Sequence, residues 1–359
     1  MKSSIDGLVA ETPDRREWSL YGWAFHPDGV PVSGVVVYDE CEIGPVSCGW
    51  PRPDVAAALP DAPSDNTGFK SHIILPPALP AGPLKLNLVW KNSGGEILGS
   101  REIEVDAGSS ETGDPGVPEP SIAESSPYLD LMEKALTGAL YLNDQESVLR
   151  RDGRDWPEIA HTMIGIARLN HLRACVETAI REGVGGDFIE TGVWKGGACI
   201  MARAIFKALG ANDRKVWVAD SFQGLPEPSA DLYPADQNDE HHTFQELAIS
   251  RERVAGHFER YGLLDDQVRF LEGWFKDTLP SAPEGPLAVI RLDGDMYEST
   301  MDALTHLYPR LSPGGFCIID DYGCIEACRE AVRDYRKAHE ITAPIRMIDW
   351  TGAWWRKPN

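Results

Sequence analysis

Leu287-Ala288-Val289-Ile290-Arg291-Leu292-Asp293-Gly294-Asp295 is an apolar, β-branched run that stops abruptly on carboxylates, and Phe316-Cys317-Ile318-Ile319-Asp320-Asp321 repeats the pattern. A buried parallel strand reads as a near-continuous apolar run, and its carboxyl edge is where such a sheet opens onto a ligand crevice. Two such edges bring up to four carboxylates, Asp293, Asp295, Asp320 and Asp321, around one crevice. Unpaired, they would repel one another and be costly to desolvate, so a divalent cation among them is the simplest resolution. Solvated loop acids in an acidic protein are the alternative. Doubled acids on successive strands count against it.

Outward from these strands, short apolar runs alternate with helical stretches from about residue 183 to the end, which signals a doubly wound parallel sheet. Asp187-Phe188-Ile189-Glu190 reads as its first strand, and Thr191-Gly192-Val193-Trp194-Lys195-Gly196-Gly197 as a tight turn into a helix, Ala198 to Leu209, closed by Gly210. Glycines there let backbone approach a ligand, and the helix N-terminus turns free N–H groups toward it. Trp194 breaks the G-x-G-x-x-G pattern, which disfavours a dinucleotide pyrophosphate over the turn. The second strand, Lys215 to Asp220, ends on an acid where such folds bind ribose hydroxyls. The third, Val268 to Gly273, is followed by Trp274-Phe275, apolar surface for an adenine. In order, these signals specify an adenosine-type ligand across the carboxyl edge.

The rest of the chain reads differently. With 359 residues, two domains are the default. Residues 1–106 hold β-rich stretches at Trp18 to Phe25, Val32 to Tyr38, His72 to Leu75, Leu84 to Trp90 and Glu96 to Val105, which predict a small antiparallel β-sandwich. Their aromatics are expected in its core more than on a sugar. Residues 107–127 are an acidic Pro/Gly/Ser linker, and 128–359 form the α/β domain, with helices expected from Leu129 to Leu140 and from Glu158 to Arg181. A formal charge of −22, from 56 acidic against 34 basic residues, argues against nucleic acid and anionic membranes as partners. Seven scattered cysteines without CxxC spacing, and an N-terminus without an apolar signal core, fit a cytoplasmic protein with reduced thiols.

Residues from about 128 to 357 resemble the TylF family of macrocin O-methyltransferases, similar in fold to class I S-adenosylmethionine-dependent methyltransferases. The resemblance rests on Asp155-Trp156-Pro157 with His161-Thr162-Met163-Ile164-Gly165, on Phe188 to Gly197, and on Ala219-Asp220-Ser221-Phe222-Gln223-Gly224-Leu225-Pro226. It continues through Arg291 to Tyr297, Asp320-Asp321-Tyr322 and Ile348-Asp349-Trp350-Thr351-Gly352. It leaves the first 106 residues outside, which look like accessory β-domains of some sugar-processing enzymes. The resemblance implies Mg²⁺-dependent transfer of methyl to a sugar hydroxyl of a glycosylated natural product, in antibiotic-type biosynthesis. It implies Asp293, Asp320 and Asp321 as metal ligands and places Glu190, Gly192, Asp220 and Ser221 on the cofactor side. Thr191, Trp194, Gly273, Trp274 and Asp293 complete the expected cofactor contacts.

For proton abstraction the candidates are Asp293, Asp295, favoured if it is not a ligand, and His161, with His241-His242 in an acidic insert, Glu227 to Glu240, that reads as a lid. Competing readings keep the chemistry on a polysaccharide or surface glycan, or make the chain a non-catalytic carbohydrate-binding protein. The complete set of strand-end acids argues against the latter. A nicotinamide oxidoreductase is disfavoured by Trp194. The acceptor's identity and the oligomeric state, a homo-oligomer included, stay open at this level.

Overall fold

The computed structural model describes residues 2–358 apart from 11–16, 29–31, 39–40, 51–58, 60–61, 63–66, 76–81, 94, 108–118, 123–125, 143–149, 152, 238 and 284. The chain divides into two compact units, Met1–Gly116 and Val117–Asn359. Of the expected linker, 108–118 and 123–125 lie outside the described residues. Within it, the Ser121 N–H donates to Thr178 Oγ1 at 3.0 Å.

The N-terminal unit is a seven-stranded antiparallel sheet of order β1-β2-β5-β4-β3-β6-β7. Its strands are β1 (Lys2–Ala10), β2 (Glu17–Phe25), β3 (Ser33–Tyr38), β4 (Cys41–Trp50), β5 (Gly68–Ile74), β6 (Gly82–Lys91) and β7 (Ile97–Ala107). The sheet folds over its own core, so that Phe69 of β5 meets Trp90 of β6 edge-on with ring centroids 4.8 Å apart. Trp18, Leu20, Val36, Leu86 and Leu88 fill the same core. Two strands escaped the sequence reading. β1 carries Asp6-Gly7 at a bulge in its register with β2, and β4 contains Gly44-Pro45; both resemble turns locally.

The second unit is a doubly wound α/β sheet of order β10-β9-β8-β11-β12-β14-β13. Strands β8 (Asp187–Thr191), β9 (Val216–Asp220), β10 (Val268–Glu272), β11 (Leu287–Leu292) and β12 (Leu311–Ile319) run parallel. β14 (Ala353–Arg356) lies antiparallel to both β12 and β13 (Arg346–Met347). Helices α1 (Pro127–Leu136), α2 (Ile166–Arg181), α3 (Gly197–Leu209), α4 (Arg251–Arg260), α5 (Phe275–Thr278), α6 (Tyr297–Leu307) and α7 (Glu326–Ala338) connect and cover the strands. α1 starts as its sequence demands, with the Ser126 side chain capping the Leu129 N–H and Pro127 in the first turn. β11 is buried at every position, as the opening stretch required. The strand order reverses between β8 and β11, which is where open α/β sheets bind ligands.

The second expected helix is shorter than its pattern. Helix α2 begins at Ile166, and 158–165 are irregular because their carbonyls serve the glycine turn: Glu158 and Ala160 accept from Lys195 Nζ, and His161 from the Gly197 N–H. Among the described residues no helix is long and apolar enough to cross a membrane.

Candidate active site

The turn after β8 is built by close approach. Gly192 has φ 78°, and a Cβ there would overlap the carbonyl oxygen of Asp293. Trp194 follows with φ 48°, strained for a bulky residue, and its indole N–H donates to Glu246 O at 3.0 Å. Asp220 at the end of β9 holds the turn: its Oδ2 accepts from the Val193 N–H and its Oδ1 from the Phe222 N–H, both at 2.7 Å. Burial nonetheless raises the Asp220 carboxyl above its ordinary value. These residues open onto a cleft of about 860 Å³, walled by Trp194, Leu225, Pro226, Leu247, Trp274 and Phe275 and reaching Asp293 and Asp295. Gly192→Ala is expected to lower S-adenosylhomocysteine affinity at least about tenfold, since relieving the overlap moves Asp293 or the turn. Calorimetric titration checks this, and an unchanged affinity would show that the turn does not face the ligand.

One carboxylate oxygen each of Asp293, Asp295 and Asp321 lies within 4.8 Å of the others, and Asp293 and Asp295 also line the cleft. Burial, then the charge of Asp320, pushes Asp293 well above the usual carboxylate range; burial, then Asp295, does the same to Asp321. Burial brings Asp295 up to about 6. Asp321 Oδ2 is buried without a hydrogen-bond partner among the described residues, and Asp295 adopts φ 54°. Three crowded carboxylates with an orphaned oxygen fit a hard divalent cation with oxygen ligands.

Asp320, the other expected ligand, is not among the three whose oxygens converge. It sits between two buried arginines, Arg168 on one oxygen and Arg291 on the other. Arg291 also pairs with Glu190 and, at 2.9 Å, with Asp293, while Arg168 reaches Asp349 at 3.0 Å. A carboxylate with a guanidinium on each oxygen is already neutralised, whereas Asp295 is not. The convergent trio is therefore Asp293, Asp295 and Asp321. Neither arginine was singled out in the sequence. An arginine inside an apolar parallel strand was the available signal, because it must find buried anions there.

A family model described as macrocin-O-methyltransferase (TylF) matches residues 143–357. The chain belongs to the TylF family. It is an O-methyltransferase. Over 240 residues, 64% of this chain and 92% of the relative, it is 56% identical to the 8-demethyl-8-(2,3-dimethoxy-alpha-L-rhamnosyl)-tetracenomycin-C 4'-O-methyltransferase of Streptomyces olivaceus. It is 54% identical over 245 residues, 64% of this chain and 96% of the relative, to the mycinamicin III 3''-O-methyltransferase of Micromonospora griseorubida. The solved structure of the O-methyltransferase NovP is 50% identical and superposes with a TM-score of 0.64, covering 66% of this chain and 100% of that chain. The α/β unit is thus a class I methyltransferase fold.

In this TylF-family domain, Gly192, Trp194, Asp220, Ser221, Trp274 and Asp293 line the cleft. Gly273 sits beside it, its N–H donating to Asp220 O at 2.9 Å. Glu190 and Thr191 lie behind the wall; Glu190 is held by Arg291 and by the Cys199 thiol at 2.8 Å. His161 is not brought to the acids. Its Nδ1 lies 2.8 Å from Tyr261 Oη, its ring packs on His257, and burial together with His257 lowers it to about 4. His241, in the insert, is closer to the chemistry: its Nδ1 is 2.7 Å from Asp239 Oδ2, and its charge acts on Asp295.

Proposed function

We propose that this enzyme moves a methyl group from S-adenosylmethionine to a sugar hydroxyl of a glycosylated small-molecule natural product, with Mg²⁺ at the acid trio. The observation that carries the reading is the convergence of Asp293, Asp295 and Asp321, the first two lining the same cleft as Gly192 and Asp220. Its relatives support the substrate class: one is named for a rhamnosyl tetracenomycin and another for mycinamicin III.

A divalent cation there supplies a Lewis acid that lowers the pKa of the acceptor hydroxyl and a template that aims it. The chain's own groups do the rest. Asp293, Asp321 and one oxygen of Asp295 would hold the cation. Among the described residues no hydrogen-bond donor reaches the Asp295 carboxylate, so its second oxygen is available to take the proton. Asp293 is less suited, since Arg291 already occupies one of its oxygens. Trp274 and Phe275 offer apolar surface to the adenine, and Asp220 and Ser221 line the ribose side. The N-terminal β unit is an accessory domain in this reading, and the enzyme works in the cytoplasm.

The test is direct. Calorimetry should show S-adenosylhomocysteine binding and no NAD binding, and radiolabelled methyl from S-adenosylmethionine should reach 8-demethyl-8-(2,3-dimethoxy-α-L-rhamnosyl)-tetracenomycin C or another glycosylated acceptor only when Mg²⁺ is present. Binding of NAD instead would return the chain to the oxidoreductase reading.

A further inference from the structure

The helix that starts beside the acid trio is capped from elsewhere in the chain. α6 follows directly on Asp293-Gly294-Asp295, and its N-cap residue, Met296, supplies no side-chain acceptor. The first N–H groups of such a helix need one. They find it in Asp236 of the insert: Tyr297 N–H donates to Asp236 Oδ1 at 2.6 Å and Glu298 N–H to Oδ2 at 3.0 Å. Asp236 is only 1% exposed, and its negative charge sits at the positive end of the helix dipole. Tyr233 packs its ring on Tyr297 at 5.9 Å, beside the same junction.

The insert is tied down at a second point. The Trp194 indole holds Glu246 O, so the segment is pinned to the β8 turn at one end and to α6 near its middle. Between the pins a chain of short-range bonds runs from Asp236 toward the acids. The Asp239 N–H donates to Asp236 O at 3.1 Å, the His241 N–H to Asp239 Oδ1 at 2.9 Å, and the His241 ring joins Asp239 Oδ2.

We propose that Asp236 is a positioning residue for methyl transfer: by capping α6 across the chain it docks the insert, together with the residues that follow it as far as Ala248, over the acid crevice and fixes the Asp239–His241 pair beside the acceptor site. Docking costs the ordering of a segment, and two charge-assisted hydrogen bonds accepted by a buried carboxylate offset it. The electrostatic influence of His241 on Asp295 agrees with this placement. The inference rests on the proposed function for its acceptor, but not for the docking itself.

The experiment compares wild type with Asp236→Ala and with Asp236→Asn, which keeps one acceptor oxygen. Hydrogen exchange should rise at least tenfold at insert amides in Asp236→Ala while β8, β9 and β11 stay protected, with a smaller rise in Asp236→Asn. With 8-demethyl-8-(2,3-dimethoxy-α-L-rhamnosyl)-tetracenomycin C as acceptor, the acceptor KM should rise at least tenfold. S-adenosylhomocysteine affinity should hold within about threefold. Unchanged insert exchange, or a lowered melting temperature with unchanged acceptor KM, overturns the proposal and leaves Asp236 as a structural cap. If Asp236→Ala does not fold, the graded effect in Asp236→Asn decides. No methyl transfer by wild type to any glycosylated acceptor would refute the proposed function, and the exchange data would then judge docking alone.

Discussion

Asp321→Asn is expected to reduce methyl transfer roughly 1,000-fold, corresponding to about 4 kcal/mol of lost transition-state stabilisation, the scale of a removed Lewis acid. Asparagine keeps the volume but removes one of three converging charges, and with it most of the attraction for a divalent cation. Asp321 is the member whose Oδ2 is buried without a partner, so it gains most from the cation and loses most when neutralised. EDTA should silence the wild type equally, with recovery on added Mg²⁺ that Asp321→Asn does not show. S-adenosylhomocysteine should bind throughout, because the substitution leaves Asp220, Ser221 and Trp274 of the cleft wall unchanged. Full turnover in EDTA would refute a metal mechanism. Asp320→Asn makes the informative contrast. With its oxygens on Arg168 and Arg291, its first effect should be on stability, and Mn²⁺ titration of the folded variant would show whether it also serves the cation.

The second large effect concerns Arg291→Met. This guanidinium, 2% exposed, pairs with Glu190, Asp293 and Asp320 from three adjacent strand ends. Methionine fits the space but leaves three buried carboxylates facing one another, and breaking such a pair from one side costs about 3–5 kcal/mol. Denaturant unfolding of the α/β unit should show a loss of that size, or the variant should fail to accumulate in soluble form. A loss below about 1 kcal/mol would mean that the acids had relaxed into protonated or solvated states. Adding Glu190→Gln to Arg291→Met should then recover part of the stability, since one of the buried carboxylates left without its arginine has lost its charge.

How much of this was legible in the sequence depended on range. Apolar runs ending in acids identified β11 and β12, the glycine turn marked one wall of the cleft, and Ser126-Pro127 marked the start of α1, because each is a local pattern with a local cause. β1 and β4 went unseen because Gly and Pro inside a strand look like turns until cross-strand partners hold them. The site split along the same line. The sequence by itself determined that several carboxylates would meet at one carboxyl edge, since parallel strands end together. Which of them converge was decided only in three dimensions. Arg168 arrives from α2 and Arg291 from within β11 to neutralise Asp320, leaving Asp295 to join Asp293 and Asp321. His161 is drawn to Tyr261 instead of the acids, and Asp236 finds the N–H groups of α6 from a distant segment. Pairings of this kind depend on which charged groups are buried together, and residues far apart in sequence carry no periodicity to announce them.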